Sequence, residues 1–132
     1  MVVLDTSVVI KWFVEEPDSK AALAFRDEHL AGQELIVVPT LFFYEFTNVL
    51  RYVKSLPEES IISILGDLEQ LGRREESSHD VIAEAVIFAR KFEISVYDGV
   101  FVALAYLYGV ELITADAKLV DKTKSLRFVK LL

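Results

Sequence analysis

The sequence predicts a single α/β domain in which a mostly parallel sheet lies between two layers of helices. Short runs of apolar, largely β-branched residues alternate along the chain with longer segments whose apolar residues recur at helical spacing. Strands that are separated by helices are joined by crossovers and are therefore parallel, and a parallel sheet needs helices on both faces. A three-layer α/β/α arrangement covering residues 1–132 meets both requirements.

The N-terminal half is expected to contain two strands and four helices. The strands are Met1–Leu4 and Leu35–Val38, and the helices run from Asp5-Thr6-Ser7 to about Phe13, from Asp18 or Ser19 to about Ala31, from Leu41 to about Lys54, and from Pro57 to Gly72. Thr40 is the expected cap of the third helix, and Pro57 has the favoured first-turn position of the fourth. Gly32 and Gly72 are the expected ends of the second and fourth helices.

The C-terminal half is expected to contain three strands and three helices. In chain order they are a short edge strand at Arg73–Glu76, a helix from Ser77 or Ser78 to about Lys91, a helix from Tyr97 to Tyr108, a strand at Val110–Thr114, a short helix at Asp116–Lys122 and a strand at Arg127–Leu131. Gly109 ends the second of these helices, because glycine readily adopts the left-handed conformation that follows a helix.

Composition limits the class of protein. Hydrophobic residues make up 53% of the chain and the mean hydropathy is +0.38, so the protein can bury a core and keep an apolar surface for a dimer or a partner. We expect a cytoplasmic protein with neither a membrane span nor a secretory signal, because charged residues interrupt every long apolar run. No cysteine is present, which excludes disulfides, thiolate catalysis and Cys-based zinc sites.

Four acidic residues occupy positions where ligand sites form in parallel sheets, which is the crevice beyond the carboxyl ends of the strands. Asp5 and Asp116 follow the first and fourth expected strands, and Glu45 lies in the second turn of the helix after the second strand. Asp98 lies in the first turn of a helix. It reaches the carboxyl edge of the sheet only if the start of that helix lies at this edge. Taken singly, Asp5 and Asp116 are better explained as helix caps, and Asp98 is evenly balanced because Ser95 is also available as a cap.

Glu45 is harder to explain as a structural residue. It shares an apolar, core-facing stripe of its helix and has no Lys or Arg one turn away to pair with it, so we interpret it as functional, with Asn48 as a polar helper. Carboxylates that converge in a crevice repel one another, and a divalent ion removes that conflict. Oxygen ligands suit Mg²⁺ or Mn²⁺, which can activate water and stabilise the leaving oxygen of a phosphodiester.

Four motifs in chain order resemble the PIN domain, and most closely its VapC-type toxins. They are Leu4-Asp5-Thr6-Ser7, then Glu45 with Asn48, then Tyr97-Asp98-Gly99 running into Ala103-Leu104-Ala105, and last Thr114-Ala115-Asp116 with Leu119. Their order, spacing and total length fit, so the resemblance covers essentially the whole chain. It implies a central sheet of about five strands with helices on both sides.

The resemblance also implies a Mg²⁺- or Mn²⁺-dependent endoribonuclease. The family's catalytic and metal-binding acids correspond to Asp5, Glu45, Asp98 and Asp116, its polar helper to Thr6 or Ser7, and its small hydroxyl residue to Thr114. It further implies a homodimer and an antitoxin whose tail occupies a groove. Gly99 stands where the family often has alanine, and we expect it to loosen the start of its helix without affecting the metal site.

Other residues carry weaker expectations. The net charge of −7 requires that cations bound at the site, or local basic patches, hold the RNA. The candidates for contact with RNA phosphates are Lys11, Arg51, Lys118 and Lys122, for each of which surface solubilisation is the more common role. Asp121 is either a fifth acid at the site or, more commonly, a solvated residue. Trp12 and Phe13 either line an antitoxin groove or pack in the core.

The same residues also bear on three rival functions. A phosphohydrolase of the haloacid dehalogenase type needs a second Asp two residues after the first, where this chain has Ser7. A receiver domain needs its phospho-accepting Asp after a mid-chain strand, and none is present. The main alternative is a catalytically inactive PIN-like module that binds RNA or a protein, against which the presence of all four acids counts.

Overall fold

A computed structural model describes residues 1–70 and 72–132. Its five strands form one sheet in the order β3-β2-β1-β4-β5. The strands are β1 (Val2–Leu4), β2 (Ile36–Pro39), β3 (Arg73–Glu75), β4 (Glu111–Thr114) and β5 (Val129–Leu131). Every pair of neighbouring strands is parallel, which confirms the predicted fold class.

The described residues contain seven α-helices and one short 3-10 turn. They are α1 (Thr6–Val9) followed by the 3-10 turn Ile10–Trp12, α2 (Ser19–Leu30), α3 (Leu41–Leu50), α4 (Glu58–Gln70), α5 (His79–Phe92), α6 (Val96–Tyr108) and α7 (Ala117–Lys122). Gly32 and Gly109 take positive φ angles of 72° and 65° after α2 and α6, as expected of helix-ending glycines. Within these same residues, no helix has the length and apolar character needed to cross a membrane.

The central strand β1 explains why the sheet is parallel and covered on both faces. All three of its residues are buried, and Val2 pairs with Ile36 of β2 on one side and with Glu111 of β4 on the other. A strand that is buried on both faces is a continuous apolar run rather than an alternating one. The edge strand β3 instead carries the exposed charges of Arg73 and Arg74, which protect an open sheet edge from pairing with other chains.

Two sequence-based expectations about α3 are wrong. The helix ends at Leu50 rather than at about Lys54, and residues 51–57 form turns that lead to Pro57. Thr40 does not cap α3 with its side chain; its hydroxyl donates instead to the carbonyl of Glu75, at 3.2 Å. This contact is between residues far apart in the chain, which no local capping rule predicts. The expected end of α4 near Gly72 adjoins Leu71, which lies outside the described residues.

Gly99 has a packing role that the sequence did not reveal. An added Cβ at this position would lie 2.6 Å from the carbonyl oxygen of Ala85, so α6 approaches the backbone of α5 too closely for any side chain there. The glycine therefore permits the close contact of the two helices, besides any effect on the start of α6. The contact lies directly beside Asp98, the residue before Gly99 in the chain.

Candidate active site

The carboxylate of Asp5 is held by two hydroxyl groups at the carboxyl end of the central strand. Ser7 and Thr114 each donate a hydrogen bond of 2.6 Å to the same oxygen, Oδ2. The Asp5 side chain makes no capping hydrogen bond to α1, although Asp5 stands at the N-cap position. The explanation of Asp5 as a simple cap is therefore wrong.

The same two hydroxyls also accept hydrogen bonds from the loop that follows β4. The amide of Ala115 donates to Ser7 Oγ at 2.9 Å, and the amide of Asp116 donates to Thr114 Oγ1 at 3.1 Å. A hydroxyl that accepts from an amide keeps its own proton for another partner. Both protons are thus directed at Asp5, and the orientation of Asp5 is tied to the backbone of the loop carrying Asp116.

Glu45 reaches the same edge of the sheet from α3. Thr6 Oγ1 donates a hydrogen bond of 2.9 Å to Glu45 Oε2, linking the start of α1 to the second turn of α3. The sequence left Thr6 and Ser7 as alternatives for one helper position. In the structure each hydroxyl donates to a different carboxylate: Thr6 donates to Glu45, and Ser7 donates to Asp5.

Three of the four acids influence one another electrostatically. Burial raises the pKa of Asp5, the hydrogen bonds from Ser7 and Thr114 oppose that rise, and the negative charge of Asp98 adds to it. Burial also raises the pKa of Glu45, with further increases from the charges of Asp5 and Asp98 and an opposing effect of the Thr6 hydrogen bond. The negative charge of Asp98 thus acts on both Asp5 and Glu45.

Asp98 and Asp116 occupy their helix starts in different ways. Ser95, and not Asp98, caps α6: its hydroxyl accepts from the Asp98 amide at 3.0 Å. Asp116 does cap its helix, because Oδ1 accepts from the amides of Lys118 and Leu119 at 2.8 and 3.2 Å. The capping explanation is thus confirmed for Asp116, whose side chain is exposed.

Three of the four acids line two adjoining clefts, and Asp98 lines neither of them. The Asp5 cleft, of about 320 Å³, is lined by Asp5, Thr6, Ser7, Ile10, Glu45, Asn48 and Val49. The Asp116 cleft, of about 540 Å³, is lined by Ser7, Ile10, Lys11, Glu16, Ala115, Asp116, Ala117 and Lys118. Because Ser7 and Ile10 belong to both, an extended ligand could pass from one cleft to the other. Asn48 lines the Asp5 cleft, at the position predicted for a polar helper.

The donor set fits a hard divalent cation. In residues 1–70 and 72–132, no three Asp, Glu or His side chains stand close enough to form a complete metal-binding group. Mg²⁺ retains several waters and needs only one or two protein carboxylates, and Asp5 and Glu45 line one cleft with oxygen ligands only. A cation there would also offset the burial and the weaker charge repulsion that raise the pKa values of both residues.

The basic residues proposed for RNA contact differ in their present partners. Lys11 pairs with Glu16 and, at 2.9 Å, with Asp18. Lys122 donates to the carbonyl of Glu93 at 2.6 Å, beside the turn that joins α5 to α6. The two remaining candidates are Arg51, whose guanidinium lies 4.4 Å from the centre of the Tyr52 ring, and Lys118, which lines the Asp116 cleft.

Trp12 and Phe13 both contact neighbouring residues and line a surface groove. Trp12 Nε1 donates to the carbonyl of Ala22 at 2.8 Å, and the Phe13 ring packs edge-on against Phe46 at 5.6 Å. Both residues also line a surface groove of about 780 Å³ bounded by the loop before α2. Asp121 is exposed and does not line either acidic cleft, which fits a solvated residue.

Comparison with protein families places the chain in a class. A family model described as "PIN domain" matches residues 2–124. The chain therefore belongs to the PIN-domain family. A comparison with curated proteins finds no match.

Several solved structures share this fold over nearly their whole length. A toxin–antitoxin complex from Klebsiella pneumoniae is 17% identical with a TM-score of 0.75, covering 98% of this chain and 96% of that one. VapC20 of Mycobacterium tuberculosis, described as a sarcin–ricin loop cleaving toxin, is 13% identical with a TM-score of 0.71, covering 98% and 97%. VapBC2 of Rickettsia felis, bound to promoter DNA, is 18% identical with a TM-score of 0.72, covering 100% and 98%.

Proposed function

We propose that this chain is a Mg²⁺- or Mn²⁺-dependent endoribonuclease that hydrolyses RNA phosphodiesters. The observation that carries the proposal is Asp5, a carboxylate at the end of the central strand that two hydroxyls orient, and whose pKa is raised by burial and, to a smaller extent, by the charge of Asp98. A structural carboxylate is normally paired with a cation, whereas this one adjoins other acids. Perturbed pKa values of this kind concentrate at functional sites.

Each of the nearby residues has a part in this proposal. Asp5 and Glu45 would hold the ion, with Asp98 and Asp116 as the further acids of the site; a bound ion supplies water activation and neutralises charge on the phosphodiester. Ser7 and Thr114 fix the orientation of Asp5. Thr6 occupies Oε2 of Glu45 and leaves Oε1 to accept a ligand or a proton. Asn48 offers an amide to the substrate within the same cleft.

The biological role that we propose is that of a cytoplasmic toxin in a VapBC-type toxin–antitoxin pair. Proteins described as VapC toxins or VapBC complexes share the fold over almost the whole chain. The partners are then an RNA substrate, a cognate antitoxin and a second copy of the chain. The groove that contains Trp12 and Phe13 adjoins the Asp116 cleft through Lys11 and Glu16, and is our candidate for the antitoxin site.

Cleavage of RNA by the purified protein tests the proposal. Protein freed of any antitoxin is incubated with structured RNAs and Mg²⁺ or Mn²⁺, beside an Asp98→Asn variant of nearly identical shape. We expect cleavage by the wild type, a large loss in the variant, and heat on titration of Mn²⁺ into the wild type. Absent cleavage, or equal cleavage by both proteins, contradicts the enzyme assignment.

The second candidate function is a PIN-like module that binds RNA or a protein without cleaving. The absence of a complete three-residue metal group among the described residues favours it. It predicts RNA binding that is independent of Mn²⁺ and unchanged in Asp98→Asn. Metal-dependent cleavage that the substitution removes would exclude it.

A further inference from the structure

The C-terminal segment is basic, although the chain as a whole is acidic. Residues 117–132 contain five Lys or Arg residues and one Asp, a side-chain charge of +4, whereas residues 1–116 contain nine basic and twenty acidic residues, a charge of −11. The five basic residues of the segment are all exposed: Lys118, Lys122, Lys124, Arg127 and Lys130. Such an asymmetry of charge within one domain indicates a surface that binds a polyanion.

Structural roles account for two of the five basic residues. Lys130 lies on the edge strand β5, 4.0 Å from Glu111, and a lysine at such a position protects an open sheet edge. Lys122 lies in the last turn of α7, where a positive charge suits the helix dipole, and it donates to the carbonyl of Glu93 at 2.6 Å. That hydrogen bond uses one of three ammonium protons, so Lys122 can still contact an anion.

Lys118 is the residue that a structural role explains least. It is the second residue of α7, where the helix dipole disfavours a positive charge. The ion pairs found in residues 1–70 and 72–132 include none of Lys118, Lys124 and Arg127. Lys118 also lines the Asp116 cleft. A positive charge that does not stabilise its own helix, at the wall of this cleft, is explained by an anionic ligand.

Four of the basic residues follow a path that leaves the Asp116 cleft. Lys118 and Lys122 are four residues apart in α7, so they lie on the same side of the helix, about 6 Å apart along its axis. Lys124 and Arg127 follow in the turns between α7 and β5. Because β4 and β5 are parallel, this connection leads from the carboxyl edge of the sheet back to its amino edge. We call these four residues the basic strip.

The basic strip offers contacts for phosphates but none for bases. The one aromatic residue of the segment, Phe128, is partly buried and lies 6.2 Å from the Tyr106 ring, measured between ring centres. Base recognition on a single strand relies on exposed aromatic side chains that stack on the bases. Contacts to phosphates alone give affinity without sequence preference. The basic strip therefore suits a flank of a nucleic-acid substrate.

We propose that the basic strip holds, through its phosphates, the RNA that flanks the cleaved phosphodiester. The inference rests on the proposed function, since it takes RNA as the ligand of the Asp116 cleft. It also explains how a chain with a net charge of −7 can hold RNA: positive charge is concentrated where the substrate leaves the acidic clefts. RNA is favoured over an acidic protein tail because the basic strip continues the cleft in which the proposed phosphodiester cleavage takes place.

RNA binding without cleavage is the first test, measured by fluorescence anisotropy of labelled oligouridine in EDTA at several KCl concentrations. Replacing all four residues of the basic strip by Gln should weaken binding at least about tenfold at low salt. It should also lower the slope of log affinity against log salt by about 2–3, because each phosphate contact on a single strand contributes about 0.7. Lys54→Gln is the matched control, since Lys54 is exposed and lines neither acidic cleft. A wild type that does not bind oligouridine, or a quadruple variant that binds as the wild type does, overturns the proposal.

Asp121→Asn tests the basic strip without removing any basic residue. Asp121 is exposed on α7 between Lys118 and Lys122. Loss of its negative charge should tighten oligouridine binding about twofold at low salt and have little effect at high salt, where the charge is screened. Unchanged affinity at low salt contradicts RNA contact on this face of α7. A polyglutamate peptide that binds as tightly as oligouridine overturns the assignment of the basic strip to RNA.

Kinetics with Mn²⁺ separate this inference from the proposed function. The triple variant Lys122→Gln, Lys124→Gln and Arg127→Gln keeps Lys118 at the cleft. It should raise KM for RNA at least about fivefold with little change in kcat, because the lost contacts bind the substrate equally before and during the reaction. A lower kcat with unchanged KM overturns the inference and leaves the proposed function in place. RNA binding that depends on the basic strip, without cleavage by the wild type, would count against the proposed function alone.

Discussion

The corner between β1 and α1 and the corner between β4 and α7 have the same local sequence features and different chemistry. In each, an Asp stands between a buried strand and a short helix. Asp116 is exposed and caps its helix with two hydrogen bonds, whereas Asp5 caps nothing and accepts two hydroxyl protons. Burial raises the pKa of Asp5. The position of an acid after a strand thus predicts its place at the sheet edge but not its role.

The difference arises from what the central position of β1 brings near. Thr114 donates to Asp5 across a separation of 109 residues, because β4 is the parallel neighbour of β1. Glu45 and Asp98 approach from α3 and α6. The β4–α7 corner has fewer such neighbours, and the side chain of Asp116 therefore serves its own helix.

The largest difference is expected when each Asp is replaced by Asn. Asp5→Asn should lower both Mn²⁺ affinity and RNA cleavage at least about a hundredfold, because it removes a charge at the centre of the acidic group. Asp116→Asn should have a smaller effect on Mn²⁺ affinity, since Asn preserves the cap. Calorimetric titration with Mn²⁺ and a cleavage assay measure both variants. Equal losses of Mn²⁺ affinity in the two variants would show that Asp5 and Asp116 contribute equally to metal binding.

The same Asp5→Asn variant should change how stability depends on pH without metal. The raised pKa of Asp5 means that the folded chain holds this proton more tightly than the unfolded chain. The stability that results is complete below the unfolded pKa, near about 4, and is lost as pH rises through the raised value. In metal-free buffer, Tm of the variant relative to the wild type should therefore increase with pH. A difference in Tm that is constant from acid to neutral pH would contradict this.

Gly99→Ala tests the close contact between α5 and α6 beside Asp98. The added methyl group would lie 2.6 Å from the backbone oxygen of Ala85, and we expect a loss of about 1–3 kcal/mol in the free energy of unfolding. Gly66→Ala is the matched control, because no atom outside its own helix backbone lies within 4 Å of a Cβ added at this position. That control should gain about 0.5–1 kcal/mol in a helix. Urea denaturation measures the free energy of unfolding of both variants. Equal changes would show that α5 and α6 can move apart at little energetic cost.

Thr114→Val should weaken the link between the two corners. It removes the donor to Asp5 and the acceptor for the Asp116 amide at a side chain with 0% exposure, and we expect a loss of about 1–2 kcal/mol in the free energy of unfolding. Thr114→Ser keeps both hydrogen bonds and should restore most of the Mn²⁺ affinity lost in the valine variant. Identical Mn²⁺ affinity in all three proteins would indicate that the hydroxyl does not orient Asp5.

The smallest effect is expected from Asp116→Ala. Loss of an N-cap should lower the free energy of unfolding by about 1 kcal/mol, and Asp116→Asn should lower it by much less. Chemical denaturation without metal measures the two variants. If alanine and asparagine destabilise equally, capping is not the structural role of this side chain.

Much of the fold could be predicted from the sequence. The order of strands and helices and the edge position of β3 follow from patterns within a few residues, and the structure confirms them. For two caps the sequence left alternatives open, Ser77 or Ser78 for α5 and Asp98 or Ser95 for α6, and the structure has Ser78 and Ser95. The wrong prediction of a cap at the start of α3 has a physical cause, because Thr40 bonds to Glu75 of β3, a partner that is distant in the chain. Nothing in the structure explains why α3 ends at Leu50 rather than near Lys54.

Local chemistry by itself determined the class of fold and the four acids that deserve testing, because strand runs, helical spacing and an uncompensated Glu45 are visible along the chain. Only the tertiary structure decided what surrounds each acid. In the structure Thr6 bonds to Glu45 and Ser7 bonds to Asp5. Asp5 is a half-buried hydrogen-bond acceptor, whereas Asp116 caps a helix. The close contact of α5 and α6 leaves no room for a side chain at position 99. The reason is physical: burial, charge repulsion and close packing depend on neighbours in space, and those neighbours come from strands and helices far apart in sequence.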